Sequence, residues 1–319
     1  MNHVTSLSLS LSPSLSLSLS LSLSPSPSLS LSLSPLAAFL LLLATACSAS
    51  PPTTSSSLPV PGGPFLRSSD PSAPATVSPF LLDTHPITVA RFRAFVTAGQ
   101  GTRTSPPLPG AGAHPLIPNS GWDPTWNARL AATPSDLLSS LHCGGESWTD
   151  SPSANEALPI NCINWFESFA FCAWDGGRLP TESEWNFAAS GGDQQRVYPW
   201  SSPPTSTTID DTYAVYCGET CALQPVGSRS PKGDGRWGHS DLAGGVWEWN
   251  LDWWEEPYVV PCVDCAVVTP SGPESLYRVA RGGGFKSLPP VLVTSLRVQG
   301  TPSERDSFFG ARCARDARR

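Results

Sequence analysis

Lysine is almost missing from this 319-residue chain: it occurs at Lys232 and Lys286 only, and the formal net charge is -7. With acidic groups in excess and no basic stripe to neutralise phosphates, nucleic acid is not expected as a partner. Histidine is sparse, at positions 3, 85, 114, 142 and 239. Each is isolated and is read as a surface or loop residue. Charge is nearly absent from the first 75 or so residues, which repeat Ser, Leu, Pro and Thr. They supply no core, so roughly 240 residues remain for one large domain.

Within that N-terminal part, residues 5 to 35 alternate Ser and Leu too monotonously to specify strands and read as low complexity. The run Leu36 to Ala46 then holds about eleven residues, nearly all apolar. It is too short to span a bilayer and fits the core of a signal peptide. Ala44 and Ala46 precede Cys47 in the manner of a bacterial lipobox, which points to lipidation of Cys47 and anchoring to the bacterial cell envelope. The same small residues also suit ordinary cleavage and secretion. The expected organisation is residues 1–46 as low complexity and signal peptide, 47–75 as lipidated Cys and Ser/Pro/Thr tether, and 76–317 as the folded domain.

All 12 Trp fall between Trp122 and Trp254 amid frequent Gly and Pro, which predicts a loop-rich fold pinned by aromatic packing. Phe80-Leu-Leu-Asp-Thr is a strand signal. Thr88 is placed to cap a helix over Val89–Ala98 in which Val89, Phe92, Phe95 and Val96 share a face, and Gly99 stops it. A second helix starts at Asn164, with Glu167 as capping partner, and ends at Gly176-Gly177. A third follows the Thr181-Glu-Ser-Glu184 capping box to about Ala189.

An ordered set of sequence blocks says more than these elements. Pro159-Ile-Asn-Cys-Ile-Asn-Trp-Phe-Glu167 leads to Phe171-Cys-Ala-Trp-Asp-Gly-Gly-Arg-Leu-Pro-Thr-Glu-Ser-Glu-Trp185 and Tyr198-Pro-Trp200. Pro225-Val-Gly-Ser228, Asp241-Leu-Ala-Gly-Gly-Val-Trp-Glu-Trp249, Arg281-Gly-Gly-Gly-Phe285 and Phe309-Gly-Ala-Arg-Cys313 follow. From Asp83 to Arg315 this set resembles the formylglycine-generating enzyme, or sulfatase-modifying factor, family. The resemblance implies an α+β fold, a loop-rich and disulfide-bonded variant of the C-type-lectin-like fold, with Cys172 joined to Cys313.

Removing Cys47 from nine Cys leaves eight, which suits disulfides in an oxidising compartment. Cys143 is paired with Cys162, while the partners within Cys217, Cys221, Cys262 and Cys265 stay open between disulfides, the preferred reading, and a four-thiolate zinc site.

Enzymes of the resembled family hold copper on two thiolates downstream of Arg-Gly-Gly, and a soft cuprous ion needs soft ligands. Here Gly284 to Arg312 contains no Cys, and the corresponding positions fall near Ser287 and Leu292. Copper is therefore not expected, and with five isolated His and no His-rich domain neither is iron. A structural Ca2+ on Asp241, Gly244, Val246 and Glu248 is implied by the resemblance, since two carboxylates and two backbone carbonyls suit a hard cation. The function expected is a non-catalytic binding or scaffold module that offers loops near 101–127 and 284–308 to a protein or glycan at the cell surface. The alternatives are altered chemistry in the same cleft, with Arg281, Ser287, Arg297 and Asp306 as its candidates, or an active formylglycine-generating oxidase.

Overall fold

The Ser/Pro/Thr segment folds from Ser57 onward instead of continuing as a tether to residue 75. The structure, a computed structural model, describes residues 56–317 apart from 220 and 273–275, so Cys47 and the signal-peptide region lie outside the described residues. It contains β1 (Ser57–Val60), β2 (Gly63–Leu66) and β3 (Pro74–Val77). Val60, Phe65, Ala75 and Val77 from these strands are buried. Their three prolines sit where a sheet tolerates a missing N–H: Pro59 and Pro64 on edge strands, Pro74 at a strand's first residue. Gly62 allows the turn between β1 and β2, with φ 71° and no room for a side chain, since a Cβ there would lie 2.5 Å from the Val77 carbonyl oxygen.

β4 (Phe80–Asp83) pairs antiparallel with β1 and with β10 (Ala314–Asp316), which ties the first described strand to the last. β2 and β3 form a hairpin whose second strand runs parallel to β6 (Cys262–Val263). The largest sheet has the order β8 (Arg297–Gly300), β7 (Arg278–Arg281), β5 (Trp247–Trp253), β9 (Phe309–Gly310), antiparallel except for the β5/β9 pair.

Four α-helices occur among the described residues: α1 (Val89–Thr97), α2 (Pro134–Ser140), α3 (Trp165–Trp174) and α4 (Glu182–Ser190). The caps explain three of the starts. Thr88 Oγ1 accepts from Arg91 N, Asn164 and Glu167 form a reciprocal box, and so do Thr181 and Glu184. α2, which the sequence reading did not anticipate, has its own box between Thr133 and Asp136.

The main core joins Val89, Phe92 and Phe95 of α1 to Trp165, Phe169 and Phe171 of α3, with Trp122 from a loop and Trp249 from β5. A second cluster sets Phe65, Val77 and Leu82 against Trp185 and Phe187 of α4. Four disulfides close around them. Cys172–Cys313 and Cys143–Cys162 are joined, and each short pair closes on itself as Cys217–Cys221 and Cys262–Cys265.

Two loop expectations change. Residues 284–308 are not a free loop, because β8 pairs with β7 over its full length. Residues 101–127 remain irregular, but Trp122 is 2% exposed and donates from Nε1 to Asn127 Oδ1 at 2.8 Å, which fixes that end of the loop.

Candidate functional site

The Arg281-Gly-Gly-Gly turn leaves β7 and runs against the side chain of Leu292. Gly283 has φ 76°, and a Cβ there would meet Leu292 Cδ2 at 2.4 Å. Leu292 is 1% exposed and packs among Tyr198, Ala214, Tyr216 and Ala243. The groove beside this turn is therefore filled by an apolar side chain. Ser287 closes a tight turn: its Oγ accepts from Gly284 N at 3.0 Å and its carbonyl accepts from Cys217 N at 2.9 Å. No histidine or carboxylate contacts that hydroxyl among the described residues, so nothing activates it as a nucleophile.

The four cleft candidates separate into two groups. Arg281 and Arg297 converge on Glu182: Arg281 Nη2 donates to Glu182 Oε1 at 2.8 Å and Arg297 Nη1 to Oε2 at 3.1 Å. Tyr258 donates to the same carboxylate at 3.1 Å and accepts from Arg281 Nη2 at 2.6 Å. These cations are spent on one buried acid. Asp306 lies elsewhere, bracing its own turn by accepting from Phe308 N and Ser307 Oγ. Glu182 was missed by sequence reasoning because it stands inside a capping-box pattern, where it reads as a first-turn acid.

The residues implied for calcium lie on the turn entering β5. Asp241 adopts φ 56° and accepts from Gly227 N at 2.6 Å. Glu248 is fully buried and is grasped by the Arg312 guanidinium, with Nε to Oε2 and Nη2 to Oε1 both at 2.7 Å, while Trp185 Nε1 also donates to Oε2 at 2.7 Å. Arg312 also caps the carbonyls of Ser240 and Asp241. Burial pushes both the Asp241 and Glu248 carboxyls upward, and Arg312 opposes it. Part-buried Asp241 and buried Glu248 face the Arg312 guanidinium, an arrangement compatible with a bound cation. The Glu248–Arg312 fork itself was not legible from the sequence, because 64 residues separate the partners.

Two of the histidines, read as surface or loop residues, lie in loops but are buried. His114 is buried beside Glu184, with Nε2 to Oε1 at 3.4 Å, and Glu184 is forked by Arg178 at 2.7 Å to each oxygen. Burial alone would raise Glu184, but Arg178 and His114 hold it well below the usual range. His239 is 0% exposed, and burial, with Arg312 nearby, lowers it to about 4.

This sets an acid limit on stability. Native His239 stays neutral where the unfolded chain takes up a proton, so its contribution is complete above the unfolded value near 6.5. It is lost as pH falls from there toward about 4. The loss amounts to roughly 3 kcal/mol. Urea midpoints at pH 7.5 and 4.5 check it: His239→Gln is expected to lose less stability between the two pH values than the parent, by about that amount.

Open space lies on another face, under the 101–127 loop. Two adjoining cavities, about 460 and 400 Å³, share Arg178 and Asp316. One is roofed by Gly110 to Ala113 over Ala173, the other by His114 and Leu116. Leu108 and Leu116 are 78% and 57% exposed at the edge of this region.

The sequence model of the sulfatase-modifying factor enzyme 1-like domain matches residues 44–317. The chain belongs to this family. Among sulfatase-modifying factor proteins, it is 30% identical over 295 residues to the formylglycine-generating enzyme of Thermomonospora curvata, a match that covers 81% of this chain and 92% of that one. It is 27% identical over 301 residues to the inactive Cα-formylglycine-generating enzyme 2 of Mus musculus, covering 82% and 85%. PvdO from Pseudomonas aeruginosa shares the fold, with a TM-score of 0.55 at 20% identity over 82% of this chain and 94% of that one. The α+β, disulfide-bonded architecture is thus that of the sulfatase-modifying factor family.

Proposed function

We propose that this chain is a non-catalytic member of its family, a rigid module that presents a binding surface to a protein or glycan partner. One observation carries the reading: the segment after Arg281-Gly-Gly, where family enzymes place paired thiolates, contains no Cys, and Leu292 fills the groove there. Hydroxyl and isobutyl groups do not replace soft sulfur donors for a cuprous ion, so the residues present do not fit copper. Supporting it, one relative of comparable coverage is itself named inactive.

The frame suits a binding role. Disulfides and buried ion pairs hold the helices and sheets, while the 101–127 loop overhangs two cavities and exposes Leu108 and Leu116. Calcium would be held by the carboxylates of Asp241 and Glu248 with the carbonyls of Gly244 and Val246, stiffening the turn into β5. A lipid on Cys47 would fix the module to a bacterial envelope, with the short segment between Cys47 and Ser57 as its tether.

The alternative of altered chemistry is weakened because Arg281 and Arg297 are both engaged, by the Glu182 carboxylate and by backbone carbonyls. The alternative of a working oxidase draws on relatives that carry that name. An assay separates them: purified protein with Cu(I), O2 and a sulfatase-type cysteine peptide is expected to yield aldehyde at background level. Aldehyde formed in proportion to enzyme would overturn the proposal.

A further inference from the structure

Cys262-Val-Asp-Cys265 closes a disulfide at the edge of a small cavity shared by Arg67, Glu182, Asp252, Tyr258 and Arg297. We propose that this disulfide is a thiol–disulfide exchange site that takes two electrons from a dithiol of a peptide or protein. Its two sulfurs differ in access and in surroundings. Cys262 is 3% exposed, whereas Cys265 is only partly buried. Arg67 Nη1 lies 3.8 Å from Cys265 Sγ. Ser183 Oγ lies 3.5 Å from Cys262 Sγ and 3.8 Å from Cys265 Sγ. Ser183 is in the first turn of the nine-residue helix α4, the end at which the helix dipole favours negative charge.

Cationic and hydrogen-bond-donating groups around a sulfur stabilise its thiolate, which makes it both a better leaving group and a populated nucleophile. The other disulfides lack this setting. Among the described residues, a side-chain hydrogen bond reaches no other sulfur, and Cys313, fully buried, stands within 4.8 Å of the Asp83 and Asp175 carboxylates, which disfavour a thiolate.

The exchange balances as follows. A substrate thiolate attacks the accessible Cys265 Sγ, forming a mixed disulfide, and the Cys262–Cys265 bond breaks with its electron pair passing to Cys262. The leaving thiolate is received by the Ser183 hydroxyl and the start of α4. The second substrate thiol, after losing its proton, attacks the substrate sulfur bound to Cys265 and releases the Cys265 thiolate opposite Arg67. The substrate gains a disulfide, the protein gains two thiols, and the protons pass to these thiols or to water. Asp252 borders the same cavity, anchored by the N–H groups of Glu182 and Val267. Burial and Glu182 push it up to about 7, a range suited to exchanging that proton.

The test uses the full oxidised chain, graded dithiothreitol, alkylation and peptide mapping. Cys262 and Cys265 are expected to label at dithiothreitol concentrations at least tenfold lower than Cys172, Cys313, Cys143 and Cys162. Oxidised glutathione is expected to mark Cys265 in Cys262→Ser, and a Cys-X-X-Cys peptide to be oxidised by one equivalent of parent protein. In reduced protein at pH 7, Arg67→Gln is expected to slow alkylation of Cys265 at least threefold, with Arg67→Lys restoring it. Opening of Cys262–Cys265 together with or after Cys172–Cys313, or glutathione confined to Cys262 in Cys265→Ser, overturns the proposal. So does an alkylation rate unchanged in Arg67→Gln.

Discussion

Replacing Glu248 with alanine is expected to lower the unfolding free energy by about 3–5 kcal/mol, because it leaves the Arg312 guanidinium charged, buried and stripped of its counter-ion. The structure makes this pair unusually exposed to such damage. Arg312 and Glu248 are both inaccessible to water, each carboxylate oxygen takes one arm of the guanidinium fork, and Trp185 relies on the same carboxylate for its indole N–H. No rearranged water can repay those bonds, since a buried donor without a partner carries the full desolvation penalty. In a domain of this size the change corresponds to a fall in Tm of roughly 10 °C.

Arg312 holds more than Glu248. Its second nitrogen also binds the carbonyls of Ser240 and Asp241, and its first those of Asp83 and Thr84. Arg312→Ala is therefore expected to be costly alone. The Glu248→Ala and Arg312→Ala pair should show a coupling of about 2–3 kcal/mol in a double-mutant cycle by urea denaturation. Additive effects would mean that the fork does not form in solution.

Loss of the Cys172–Cys313 bridge is the other large effect, expected to cost about 4–5 kcal/mol on loop-closure entropy. The bridge spans 141 residues and joins the last turn of α3 to the segment before β10, so in the unfolded chain it removes far more freedom than a short loop does. The Cys172→Ala, Cys313→Ala double variant, measured by urea denaturation, should also show a larger m value as its unfolded state expands. Opening the Cys217–Cys221 bridge, with a separation of 4, should cost about 2 kcal/mol by the same relation. Equal losses for the two bridges would contradict an origin in the unfolded state.

How much of this was legible in the sequence follows from how local each signal is. The starts of α1, α3 and α4 are announced by Thr88, Asn164 and Thr181, whose caps act within four residues, and Gly99 and Gly176 mark two of the ends. α2 has an equally local box, but its seven residues include only Leu137 and Leu138 as large apolar side chains, too few to show a period. β1, β2 and β3 were hidden by composition. Their prolines and serines read as a tether, and only the pairing of β1 with β4, and of β2 with β3 beside β6, makes them strands.

The site was less legible still, because its decisive contacts join distant residues. The absence of Cys from Gly284 to Arg312 could be read directly. The packing of Leu292 onto Gly283, the convergence of Arg281 and Arg297 on Glu182, and the Arg312 fork on Glu248 could not. Ser287 and Asp306, attractive as polar residues in a cleft, turn out to satisfy local turns. His114 and His239, read as surface or loop residues, lie in loops, but their burial was not legible.

A titration of cuprous ion decides the central point. The full chain with its disulfides intact is loaded with Cu(I), passed over a desalting column with a competing cuprous chelator, and the retained copper counted per protein. Retention well below one equivalent is the expected result, since Gly284 to Arg312 supplies no Cys and Cys217, beside Ser287, is joined to Cys221. One tightly held equivalent would contradict it.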